Sequence, residues 1–116
     1  MRHYDSDYRL TDRRVHWIGH ESFSLAPNGS GRTASGESNF FESFVYGVPA
    51  DEATITETIH GTDSQAATDQ PPPQLVFINK GEVRIMPDGS LEVLSGRWDF
   101  VDDFEGAVQR LCDALQ

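Results

Sequence analysis

From Asp99 onward the chain reads "DFVDDFEGAVQRLCDALQ", and its apolar positions leave little choice of structure. Phe100, Val101, Phe104, Ala107, Val108, Leu111, Cys112 and Leu115 recur with a period of about 3.6 residues. One stripe of a helix over 99–115 is therefore apolar and needs an apolar surface to lie against.

The preceding segment, "LVFINKGEVRIMPDGSLEVLS", offers that surface. Apolar runs flank two turn signals, Lys80-Gly81 and Asp88-Gly89. Glycine supplies the positive φ of tight hairpin turns, and Asp before it suits turn geometry. Val83 and Ile85 alternate with Glu82 and Arg84, as Leu91 and Val93 do with Ser90 and Glu92. Alternation of this kind predicts a three-stranded antiparallel meander with one buried face. Leu75 to Ile78 is apolar in both phases, which places that strand toward the middle of a sheet.

The N-terminal half is less regular. Arg14–Ile18 and Ser22–Ala26 read as two strands broken at Gly19. Phe40–Val48 fits a helical period, but its aromatic and β-branched content favours a strand. Across 53–59, threonines alternate with Ile55, Glu57 and Ile59, as in a half-exposed strand. Two stretches without periodicity, 27–38 and 61–74, predict flexible loops, the second ending in a stiff polyproline run. The expected fold is α+β over one domain, 1–116. An antiparallel sheet of about 5–7 short strands with a C-terminal meander packs against one C-terminal amphipathic helix.

Charge narrows the function. Nineteen acids oppose eight arginines and Lys80, for a net charge of −10. Residues 1–20 carry four arginines and three aspartates (+1), residues 21–74 eight acids and Arg32 (−7), and residues 75–116 eight acids and four bases (−4). Such a chain repels DNA and anionic membranes, so neither is an expected partner. A GC-rich genome or adaptation to high salt would also produce this balance. With one cysteine, Cys112, no internal disulfide forms. No 18-residue apolar run occurs, and "MRHYDSDYRL" is too polar for a signal peptide. A soluble protein of the cytoplasm is expected.

Motifs that would carry catalysis fail on chemistry. "GRTASGES" approaches a phosphate-binding loop, but Glu37 stands where that loop needs a lysine. His16 and His20 on a strand lie about 13 Å apart, too far to share an ion. The Asn28-Gly29-Ser30 sequon carries no weight in an intracellular chain. Cys112 falls on the apolar stripe beside Asp113, the setting of a core thiol rather than a nucleophile. The alternating acid loop of a calcium site is missing. No catalytic residue, metal ligand or cofactor is assigned.

The carboxylates of the helix remain. Asp99 is placed to cap its N-terminus, and acids in the first turn match the helix dipole. Capping leaves the polar face unexplained. Asp102, Glu105 and Asp113, with Gln109 between, share a predicted solvent-facing stripe of roughly 16 Å, assigned here to partner binding. The expected function is that of a small acidic, non-enzymatic binding protein. It would engage a basic, nucleic-acid-handling protein and block or regulate it by charge complementarity. Small viral and mobile-element inhibitors, such as anti-CRISPR and anti-restriction proteins, offer an analogy of size and charge alone. Two alternatives stay open. One is a small enzyme or ligand-binding domain with a pocket between the sheet and Trp17, Phe23, Phe40, Phe41, Phe44 and Tyr46. The other is a structural subunit of an assembly.

Overall fold

A computed structural model describes residues 1–24 and 31–116. Six strands form one antiparallel sheet in chain order: β1 (Arg2–Tyr4), β2 (Leu10–Ser24), β3 (Thr33–Tyr46), β4 (Ile55–Thr68), β5 (Leu75–Ile85) and β6 (Leu91–Trp98). A helix α1 (Asp99–Asp102) and a helix α2 (Phe104–Leu115) follow, and α2 packs across β3 and β5. The α+β architecture with a C-terminal helix on an antiparallel sheet is as the periodicities require.

The strands are longer than expected. β2 runs through Gly19 without a break, and residues 33–38 and 61–68, read from sequence as loop, belong to β3 and β4. The expected strand end at 25–26 and the loop portion 27–30 lie outside the described residues. β4 hides its period because register shifts between Thr62 and Ser64 against β5 and between Thr62 and Gln65 against β3, where a bulge puts successive side chains out of phase. Phe40–Val48 is strand as far as Tyr46.

Lys80-Gly81 is not a turn. β5 passes straight through it, so the expected C-terminal meander is one hairpin, β5–β6, closed at Asp88-Gly89. Gly61, Gly81 and Gly96 are instead cross-strand neighbours on three adjacent strands, all with positive φ. A β-carbon on Gly81 would overlap the Ser95 carbonyl, and one on Gly96 the Lys80 carbonyl. The glycines mark a line across the sheet where paired backbones approach too closely for a side chain, which their alternation with apolar residues cannot announce.

The helix is also divided. Asp103 leaves helical geometry (φ −154°, ψ 55°), and its carboxylate accepts from Gly106 N–H to cap α2. Asp99, expected as the cap, is the first residue of α1 and is buried.

The core is small and lies at one end of the sheet. Ala34, Ala66, Val76, Phe77, Ala107 and Leu115 form it, with Phe23, Leu111 and Ala114 packed around it. Ala34, Gly36 and Ala66 present almost no side chain, so α2 can settle close to the strands. Phe100 and Phe104, expected in the core, are 39% and 57% exposed, and Cys112 is only partly buried. The molecule measures 58 × 24 × 23 Å with a radius of gyration of 17.7 Å. A compact domain of about 100 residues has roughly 13 Å. One short helix cannot cover so long a sheet.

Candidate functional site

Cross-strand partners project to the same side of a sheet, so the register defines what lies beyond the helix on its own face. Trp17 pairs with Phe40, Val15 with Glu42, Phe44 with Glu57, and Glu42 with Ile59. Ile59 pairs in turn with Val83, and Val83 with Val93. This half of the helix-side face is thus a mixed surface. Aromatic and aliphatic side chains surround two half-buried glutamates, and Val83 among them is buried. Trp17 is 50% exposed, and Leu91 and Val93 are exposed as well.

The acids form a group. Glu57 and Glu42 share a hydrogen bond, and Asp63 and Glu21 lie within electrostatic reach. Burial raises Glu57 to about 7, with the hydrogen bond and charge of Glu42 and the charge of Asp63 acting in the same direction. Asp63 is raised by burial first, then by Glu42 and Glu21. Like charges this close cannot all ionise without cost, so the protonated forms of Glu57 and Asp63 are favoured. At the sheet end nearest β1, Arg13 lies over the Phe44 ring at 4.4 Å. Its Nε is buried with no hydrogen-bond partner among the described residues.

A groove of about 390 Å³ joins this patch to the helix, lined by Glu21, Phe23, Phe40, Asp63, Phe77, Phe100 and Leu111 among others. Of the aromatics expected to wall a pocket, Phe23 and Phe40 do so. Trp17, Phe44 and Tyr46 continue the same face, as the register of β2 and β3 requires. Phe41 is on the opposite face, stacked on His16 and covered by Arg14. His16 also bonds Asn39 Oδ1 at 2.6 Å. Among the described residues, no group of three His, Cys, Asp or Glu could hold a metal ion.

The helix carboxylates are distributed differently from the expected stripe. Asp102, Glu105 and Asp113 are all exposed, but the break at Asp103 leaves Asp102 on a separate helix. Asp113 accepts from Gln109 Nε2 at 2.8 Å and borders a groove of about 460 Å³ that also contains Arg32 and Arg110. The three do not form one continuous row.

Asp99 and Asn79 hold the helices in place. Asp99 accepts Ile78 N–H at 3.0 Å, Arg97 Nε at 2.8 Å and an Arg110 terminal nitrogen at 3.4 Å. Burial opposes its ionisation, yet the Arg97 hydrogen bond, the Ile78 N–H and the two guanidinium charges outweigh it and keep the carboxyl below its usual range. The fully buried Asn79 accepts Phe100 N–H at 2.8 Å and donates to Ser64 Oγ at 3.0 Å.

Glu21, Glu42, Glu57 and Asp63 were not singled out by the sequence. A signal was present for two of them. Glu42 stands between Phe40 and Phe44, and Glu57 between Ile55 and Ile59, each in the apolar phase of its strand. Comparison with protein-family models, with curated proteins and with solved structures gave no match. No helix among the described residues is long and apolar enough to cross a membrane.

Proposed function

We propose that the chain is a non-enzymatic binding protein that engages a basic, nucleic-acid-handling protein and blocks or regulates it by charge complementarity, with the half of the helix-side sheet face beyond the helix as its contact surface. The observation that carries this reading is the set Glu21, Glu42, Glu57 and Asp63 on a sheet face whose Trp17, Leu91 and Val93 are exposed. A lysine or arginine brought onto this patch by a partner replaces the proton held by Glu57. The apolar rim excludes water, so the ion pair is stronger than one at an open surface. Asp102, Glu105 and Asp113 are a second acidic surface for the same class of partner.

The test is affinity capture with partner identification at about 50 and about 500 mM salt, repeated with Glu42→Gln/Glu57→Gln/Asp63→Asn. Under this reading the wild-type chain retains proteins with basic surfaces at low salt only, and the triple variant loses them while keeping its fold. Lysine replacements at Asp102, Glu105 and Asp113 form the third arm. If they abolish capture and the sheet variant does not, the contact surface is the helix. Capture indifferent to salt and to both variants would remove the proposal.

A further inference from the structure

We propose that the groove between the sheet and the two helices binds a small organic cation, an ammonium group carried on an apolar, ring-sized body. The hollow arises from the order of residues along β2 and β3. On the helix-side face Trp17 pairs with Phe40, Gly19 with Ser38, Glu21 with Gly36, and Phe23 with Ala34. A large pair is thus followed by a glycine and a serine, so the sheet surface drops between Phe40 and Phe23. Gly19 admits nothing larger as the side chains stand, since a β-carbon there would lie 2.9 Å from Ser38 Oγ. Phe23 leans over Gly36, where a β-carbon would meet its Cε2 at 3.3 Å. Phe77 of β5, Phe100 of α1 and Leu111 of α2 complete the walls.

The lining selects the occupant. The groove holds about 390 Å³, within the range of roughly 300–1,000 Å³ usual for small-molecule sites. The Phe77 ring lies 4.7 Å from that of Phe100 and 6.0 Å from that of Phe23, so the apolar wall is continuous. The charged lining residues are Glu21 and Asp63, and no lysine, arginine or histidine stands with them. Among the described residues neither carboxylate has a hydrogen-bond or ion-pair partner. Asp63 is partly buried, and burial, then the charges of Glu42 and Glu21, raise its carboxyl. A neutral ligand would strip water from these oxygens and supply no donor. An anion would add a further like charge. An ammonium brings donors and opposite charge together, and phenylalanine faces attract it as well. Ser64 Oγ, held by Asn79 Nδ2 at 3.0 Å, offers a further acceptor.

Binding needs no partner protein, and its loss would leave protein capture by the neighbouring Glu42 and Glu57 untouched. Titration calorimetry and amide-shift mapping of the full chain with phenethylammonium test the site. Three matched probes accompany it: neutral 2-phenylethanol, anionic phenylacetate, and methylammonium, which has the charge without the body. Phenethylammonium is expected to bind with a dissociation constant of about 1 mM or tighter, and each matched probe about tenfold or more weakly. Shifts should centre on Ser38, Phe40, Asp63, Ser64 and Phe100. Asp63→Asn keeps the side-chain size and should lower the affinity about tenfold. Ser38→Leu fills the hollow without changing charge and should abolish binding. Glu52→Gln removes one charge beyond the far ends of β3 and β4 and should leave the affinity unchanged. Circular dichroism checks that each variant keeps its fold.

Absence of phenethylammonium binding overturns the proposal. So does equal binding of 2-phenylethanol, or of methylammonium, which would report only the field of an acidic chain. Affinity that survives Asp63→Asn or Ser38→Leu, or shifts away from the groove, has the same force. Tighter binding of N-acetyl-lysine amide than of phenethylammonium would assign the groove to a partner's side chain and remove the small-molecule site.

Discussion

Asp99 and Glu57 are both carboxylates partly withdrawn from water, and their surroundings move them in opposite directions. Asp99 has two guanidinium groups and a peptide N–H, so its ionised form is favoured in the fold. Its contribution to stability is present above the ordinary carboxylate range and is lost as pH falls through its lowered folded-state value. Asp99→Ala strips acceptors from Ile78, Arg97 and Arg110 together, and chemical denaturation near neutral pH should show a loss of about 2–4 kcal/mol. Glu57 has only other acids beside it. Raised to about 7, it favours the protonated fold. That contribution is complete below the ordinary carboxylate range and is lost as pH rises through about 7. Glu57→Gln mimics the protonated form and does not titrate. At about pH 8 it should therefore stabilise the chain by roughly 1 kcal/mol, solvent screening most of the nominal effect, with little change at about pH 4. Equal effects at the two pH values would place the strain elsewhere.

At the scale of elements, the glycine line and the helix break show what sequence patterns conceal. A glycine between alternating residues reads as a turn, because a turn is the usual place for positive φ. Gly81 and Gly96 take that conformation within paired strands, where their backbones approach too closely for any side chain. Gly81→Ala or Gly96→Ala should each cost about 2 kcal/mol or more, measured as a drop in denaturation midpoint. Asp103 is similar. The apolar period runs through it undisturbed, yet it caps a new helix and bonds Arg110 at 3.3 Å. Asp103→Ala should lower stability by about 1 kcal/mol. If it instead joined α1 and α2 into one helix, circular dichroism would show the gain. Asp99 was legible as a helix-start acid, but its burial was not, since Arg97, Ile78 and Arg110 meet it only in the fold.

Over the whole molecule, the decisive fact is that a long sheet meets a short helix. The chain devotes Ala34, Gly36 and Ala66 to seating α2 and leaves Trp17, Leu91 and Val93 to solvent. An exposed apolar area of this kind is characteristic of an interaction surface, and under the proposed function the acids within it select a cationic occupant. Binding to a basic partner should therefore release protons near neutral pH. Titration calorimetry in buffers of different ionisation enthalpy would read that release as a buffer-dependent heat, and a heat independent of buffer would place contact away from Glu57.

Much of this architecture follows from the sequence alone, because period two and period 3.6 are local properties. They produce an antiparallel sheet closed by one amphipathic helical segment, and composition makes the whole acidic. Strand length and the line of positive-φ glycines escape such reading, since each depends on a neighbour distant in sequence, and the break at Asp103 escapes it because the apolar period runs on through the cap. The candidate site escapes it for the same reason. Glu21, Glu42, Glu57 and Asp63 are scattered over three strands, and only strand register brings them onto one face.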